Sequence, residues 1–303
     1  MRSIISLALY LVLGYYVFPS YEVLLLITAI VMIHELGHFF AMKYYRYNDL
    51  GIFFIPLLGA YVSGTKREVS QRQSAVIILA GPLPGILIGI AFYLIDLYYP
   101  GQTVMGIHFS RIAVLFIILN LINLFPIYPL DGGQLLNRVF LDEESWVSRI
   151  FVVLSAALMA WFAWSLYRYT GHMLYLALWL FPLMMLLRLQ TDSKFKNVEK
   201  RIEEEGINAD VAYEDLPDED YWRIRRILSE EVSSLRDINP GPPYEYHLKE
   251  EKIMTTIQSL LHRHLIQDVS FVGKISIFLV WAAAIASPWL LKMDLAFFDR
   301  FGL

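Results

Sequence analysis

The chain contains no cysteine. Disulfides are therefore excluded, and so is any thiolate metal site; a bound metal would have to be held by nitrogen and oxygen. Charge is also scarce. Asp, Glu, Lys and Arg make up 18% of the 303 residues, against 57% hydrophobic ones, where a soluble domain carries about 25% charged residues. The net charge of -4 is the wrong sign for a phosphate backbone, so no nucleic-acid partner is expected. There are no internal repeats, which excludes a solenoid.

What is present is a set of long apolar runs. A helix crossing a bilayer core needs roughly 17–25 such residues. About seven stretches approach this length, near 3–18, 22–43, 73–97, 111–128, 147–168, 172–190 and 271–291. The first follows Met1-Arg2-Ser3 and could pass for a signal peptide. It lacks a small-x-small cleavage site, however, and Tyr15, Tyr16, Phe18 and Tyr21 crowd its far end, so it is read as an uncleaved span. Positive charge orients the set. With a cytosolic N-terminus, the inside loops hold Lys43, Arg46, Lys66, Arg67, Arg72, Arg138, Arg149, Arg188, Lys194 and Lys196, whereas the outside loops hold little beyond Arg111 and Arg168.

Two segments depart from this pattern. Residues 51–62 are rich in β-formers and broken by Gly51, Pro56 and Gly59. They suit a strand pair or a re-entrant loop, tolerable at membrane depth only if buried in protein or facing a wet cavity. Residues 191–270 hold much of the charge. Two amphipathic helices are expected there, near 218–236 (Tyr221, Ile224, Ile227, Leu228, Val232, Leu235) and near 248–267 (Ile253, Ile257, Leu260, Leu261, Leu265), parted by Asn239-Pro240-Gly241-Pro242-Pro243. His108, His172, His247, His262 and His264 fall in loops or in this module, where a solvated face is the expected setting.

The second apolar run contains His34-Glu35-Leu36-Gly37-His38. Positions i and i+4 of a helix lie on one face, so the two imidazoles can share one zinc ion. Glu35, beside the first ligand, can act as general base without being a ligand. A glutamate in mid-membrane costs about 2.5–3.5 kcal/mol on insertion scales. Keeping it with two histidines on a single turn calls for a compensating cation. The fourth run ends in Asn123-Leu124-Phe125-Pro126-Ile127-Tyr128-Pro129-Leu130-Asp131-Gly132-Gly133. Pro126 and Pro129 loosen the helix, and Gly132 and Gly133 permit a sharp turn. Asp131 on such a segment suits a third ligand, with the fourth position left to water. The rival is that Asp131 merely caps the next helix.

HELGH in an apolar span followed by NLFPIYPLDGG resembles the site-2 protease family of intramembrane zinc metalloproteases. The likeness covers roughly residues 20–140 and includes Ala80-Gly81-Pro82. It implies a core of three helices around Zn2+, with His34, His38 and Asp131 as metal ligands and Glu35 as the catalytic acid/base. It also implies cleavage of transmembrane or membrane-proximal segments of regulatory proteins. Asn123 matches a polar position that either holds substrate backbone or the oxyanion, or packs helices. The chain departs from the pattern at Gly85, where many members have Asn, and no PDZ domain or CBS pair is recognisable.

The expected fold is therefore an all-α polytopic membrane protein. It would place about six to seven transmembrane helices around a buried zinc site, with a short membrane-associated β or re-entrant segment and a small helical cytosolic module. The expected division is 1–190 as the membrane-embedded metalloprotease domain (core 20–140), 191–270 as the cytosolic module, and 271–303 as a C-terminal transmembrane helix and tail. The expected setting is a bacterial plasma membrane, multi-pass, with transmembrane proteins as substrates and the lipid bilayer as surroundings. His34 lies nine residues from Lys43, which puts the site roughly 14 Å inside the cytosolic face. A catalytically silent scaffold that binds transmembrane partners in the same cleft is the alternative. A prenyl-protein protease fits less well, because such enzymes usually take a Glu as third ligand in a different context.

Overall fold

The computed structural model describes residues 2–16, 20–55, 59–66, 69–141, 145–209, 211, 213–236, 238, 250–261, 265–291 and 293. The Asn239–Pro243 linker and His247, His262 and His264 lie outside them. The chain is mostly helical and divides into two compact units, Met1–Leu178 with Ile266–Leu303, and Trp179–Leu265.

The first unit opens with α1 (Arg2–Tyr15) and α2 (Tyr21–Tyr44). Ser20 caps α2, its hydroxyl accepting from the Val23 amide at 3.2 Å. The β-rich segment forms an antiparallel hairpin, β1 (Asn48–Ile55) and β2 (Gly59–Thr65), in register Ile52↔Val62 and Phe54↔Ala60. Of the two expected forms the strand pair is therefore the one adopted. Phe53 and Tyr61 stack across it with centroids 5.5 Å apart. Ser6 of α1 accepts from the Phe54 amide at 3.1 Å, and Tyr10 packs on the Phe54 ring, so α1 covers β1.

The third apolar run is two helices rather than one. α3 (Gln71–Ala80) stops at Gly81, and α4 (Pro82–Tyr98) begins with Pro82 in its first turn. Proline has no N–H to continue the ladder, and the start of a helix is where that loss costs least. A short antiparallel pair, Thr103–Val104 with Ile107–His108, leads to α5 (Phe109–Asn123). The fourth run ends as helix at Asn123, short of the expected 128, because Pro126 follows. α6 (Asp131–Leu135) then runs into a π-helical stretch, Leu136–Leu141. Gly132 and Gly133 lie inside α6 and make no turn. Their missing side chains instead allow contact with the Leu124 and Ile127 carbonyls, which a Cβ would overlap.

α7 (Trp146–Thr170) starts at its cap Ser145 and ends at Gly171 in the left-handed conformation, φ 70°. α11 (Phe271–Leu290) returns to this core. Ala75, Ile78, Leu79, Ile86, Leu124, Leu135, Val139 and Ala284 form one buried cluster with Trp281 against it, and the Trp281 indole donates to the Leu124 carbonyl at 2.9 Å.

In the second unit, α8 (Leu180–Glu204) is one helix from apolar to charged sequence, with α9 (Asp218–Glu231) and α10 (Glu250–Leu260) after it. Ile224, Ile227, Leu228, Ile253 and Ile257, picked out by their helical spacing, are fully buried together with Val198 and Ile202. Arg225 and Glu250 are buried among them as a two-pronged ion pair, 2.6 and 2.7 Å, and Tyr221 donates to the same carboxylate at 3.1 Å.

Among the described residues, four helical stretches are long and apolar enough to cross a membrane: Tyr21–Tyr44, Gln71–Tyr98, Trp146–Thr170 and α11, Phe271–Leu290. Ser3–Tyr15, Phe109–Asn123 and Tyr175–Leu187 are shorter apolar helices. The chain is a multi-pass membrane protein.

Candidate metal centre

The site lies where α2 meets α3, α5 and α6. α2 contributes His34, Glu35 and His38 on consecutive turns, and α6 contributes Asp131. One ligand atom from each of His34, His38 and Asp131 lies within 4.8 Å of the others. His34 Nε2 is 3.0 Å from Asp131 Oδ2, His38 Nε2 is 3.4 Å from the same oxygen, and the two Nε2 atoms are 3.1 Å apart. His34, Glu35 and Asp131 are all buried. Leu130, not Asp131, is the N-cap of α6; the Asp131 carboxylate turns toward the histidines instead.

The proton positions follow from the other side of each ring. His38 Nδ1 sits 2.7 Å from the Ile77 carbonyl of α3. A carbonyl only accepts, so Nδ1 carries the hydrogen. His34 Nδ1 sits 2.9 Å from Asn120 Oδ1. The Asn120 amide nitrogen is committed to the Phe116 carbonyl at 2.7 Å, which fixes the oxygen toward His34. Here too Nδ1 must donate. Neutral imidazoles so arranged present bare Nε2 lone pairs to each other and to a carboxylate oxygen. That oxygen, Asp131 Oδ2, is buried without a hydrogen-bond partner. Three such acceptors converging repel one another unless a proton or a metal cation lies between them. Two nitrogens and one oxygen match the protein donor set of a catalytic zinc site.

The place of the His38 ring is kept by a missing side chain. A Cβ on Gly81, at the break between α3 and α4, would overlap the imidazole of His38. Gly37 plays the matching part on α2, letting it close onto the Ala80 carbonyl. Glu35 lies outside the three-atom cluster but beside His34 on α2, and α2 packs against β2. The hairpin is thereby set against the helix that carries the proposed base.

Of the sequence candidates, His34, His38 and Asp131 come together. Asn123 is turned along its own helix, its amide donating to the Leu119 carbonyl at 3.2 Å. The residue that touches a histidine is Asn120, one turn earlier. Ala113, Phe116, Ile117, Asn120 and Leu124 share one helical face that the structure buries almost completely, which the uniformly apolar sequence around both asparagines does not show. His108 ends a short strand at the start of α5, and exposed His172 follows α7.

Residues 22–110 match the model of peptidase family M50. Stage IV sporulation protein FB of Bacillus subtilis is 31% identical over 127 residues, 39% of this chain and 40% of that protein. A zinc metalloprotease of Methanocaldococcus jannaschii is 26% identical over 115 residues, 38% of this chain and 33% of that protein. The chain thus spans well under half the length of these curated relatives. Among solved structures, the site-2 protease from Methanocaldococcus jannaschii aligns with a TM-score of 0.42 at 22% identity, covering 60% of this chain and 83% of that one. The matched segment contains the HELGH turn of α2, and over that segment the chain is similar to peptidase family M50.

Proposed function

We propose that the protein is an intramembrane zinc endopeptidase that hydrolyses peptide bonds within or beside transmembrane segments of membrane-anchored regulatory proteins. The observation that carries this is the convergence of two bare imidazole nitrogens and an unpartnered carboxylate oxygen, with Glu35 alongside. His34, His38 and Asp131 would hold the ion. Zinc bound there polarises the scissile carbonyl and brings the acidity of water near neutral pH. Glu35 takes the proton from the attacking water and returns it to the leaving amine nitrogen. Burial keeps its carboxylate away from bulk solvent.

A substrate helix hides its carbonyls in i to i−4 bonds and must unwind before it can be cut. The hairpin supports a way to hold the unwound strand. β1 is covered by α1, while β2 packs against α2, which carries Glu35, so a strand added along β2 would pass the site. The N-terminus and residues 191–270 are proposed to be cytosolic, on the distribution of positive charge along the sequence.

The test is co-expression of the wild type or Glu35→Gln with a tagged single-span substrate, followed by mass spectrometry of the membrane fragments. Wild type should release fragments cut in or near the span. Glu35→Gln should keep its zinc and accumulate the uncut stub. Equal cleavage by purified Glu35→Gln protein would remove Glu35 from its role. An uncut substrate with both proteins, each loaded with zinc, would favour a silent scaffold instead.

A further inference from the structure

We infer that Asn120 is a positioning residue for the metal centre, holding His34 in the one tautomer that leaves Nε2 free to bind metal, and that Gly85 exists to make room for it. The inference rests on the metal-centre reading above.

Asn120 is 1% exposed in an apolar helix, where a polar side chain is retained only with partners. It has two. Its amide nitrogen donates to the Phe116 carbonyl at 2.7 Å, and its oxygen accepts from His34 Nδ1 at 2.9 Å. The first bond orients the amide and the second orients the ring. His38 has an equivalent hold from the Ile77 carbonyl, a backbone group no substitution can remove. His34 depends on a side chain. An imidazole without such a hold rotates and exchanges its hydrogen between the two nitrogens, so the ligand nitrogen is blocked part of the time.

Gly85 supplies the independent observation. A Cβ there would overlap the Asn120 amide nitrogen and lie 2.6 Å from Cγ and 2.7 Å from Oδ1. α4 thus leaves a notch at the point where the Asn120 side chain passes toward His34. Neither residue is a proposed ligand or the proposed base. Asn123, three positions on, donates instead to the Leu119 carbonyl of its own helix at 3.2 Å.

The experiment uses the full chain purified in detergent, stripped with chelator and titrated with zinc and with cobalt(II). Variants are Asn120→Ala, Asn120→Asp, Gly85→Ala and the Gly85→Ala/Asn120→Ala pair. Asn120→Ala should weaken zinc binding about 10- to 100-fold, the usual cost of losing an outer hydrogen bond to a ligand histidine. It should also change the cobalt visible spectrum. Asn120→Asp keeps an acceptor in place and should restore most of the affinity. Gly85→Ala should weaken binding in the same direction, because it displaces the amide without touching it. The pair should bind zinc no worse than Asn120→Ala alone, since Gly85 acts only through Asn120. Wild-type zinc affinity and spectrum in Asn120→Ala or in Gly85→Ala would overturn the inference, as would losses that simply add in the pair. A wild-type chain that takes up no zinc would instead strike the metal-centre reading itself. If Asn120→Ala does not fold, the comparison of Gly85→Ala with Asn120→Asp decides.

Discussion

Replacing Gly81 with alanine probes how tightly the centre is built. Gly81 has an ordinary helical φ of -71°, so alanine imposes no backbone strain and its whole effect is steric. The added Cβ would overlap Nε2 and Cε1 of His38 and approach Cδ2 to 2.9 Å. The ring cannot step away freely, because its Nδ1 is tied to the Ile77 carbonyl at 2.7 Å. Restoring ordinary contact moves the ring by about 1 Å, and a misplacement of that size costs about 100-fold in rate. Zinc affinity should fall as well. The assay pairs chelator competition for zinc with cleavage of a single-span reporter, and it checks by thermal unfolding that the chain still folds. A folded Gly81→Ala protein that binds zinc and cuts like the wild type would refute the close fit of His38 to the α3–α4 break.

In the second unit, Glu250→Gln leaves the Arg225 guanidinium buried with the Ile238 carbonyl, the Trp222 ring face and a weakened partner. Breaking one side of a buried pair costs about 3–5 kcal/mol, to be read as faster hydrogen exchange of α9 and α10 in the full chain. Unchanged exchange would mean that the pair contributes nothing. Burial, and next the Glu250 charge, push the Tyr221 hydroxyl above its ordinary pKa. A group raised in the folded state stabilises it fully below its unfolded pKa and ceases to as pH climbs through the folded one. The second unit should therefore loosen as pH rises above about 10, and Tyr221→Phe should flatten that slope; an identical slope would contradict the assignment.

The parts of the site visible in the sequence are those set by one short motif. Helical spacing alone puts His34 and His38 on one face, and Pro126 and Pro129 announce that α5 must end before Asp131. Gly51, Pro56 and Gly59 among β-formers mark the hairpin. Other features depend on distant neighbours. The α3–α4 break at Pro82 was readable in principle, yet the apolar run continues across it and hides it. The contacts of Gly81 with His38 and of Gly85 with Asn120 join residues far apart in sequence, so no local pattern shows them. Asn120 and Asn123 look alike in the chain, and only the burial of one helical face tells them apart. The second unit starts at Trp179 because α8 continues unbroken as its composition turns from apolar to charged. Composition reports the surroundings of a helix rather than its ends.

Zinc-edge X-ray absorption on the purified full chain tests the central claim most directly. The account predicts about one zinc per chain with two imidazole nitrogens and one carboxylate oxygen at about 2.0–2.2 Å, and loss of that shell in His34→Ala and in Asp131→Ala. A zinc shell unchanged by either substitution, or a folded wild type that binds no zinc, would contradict it.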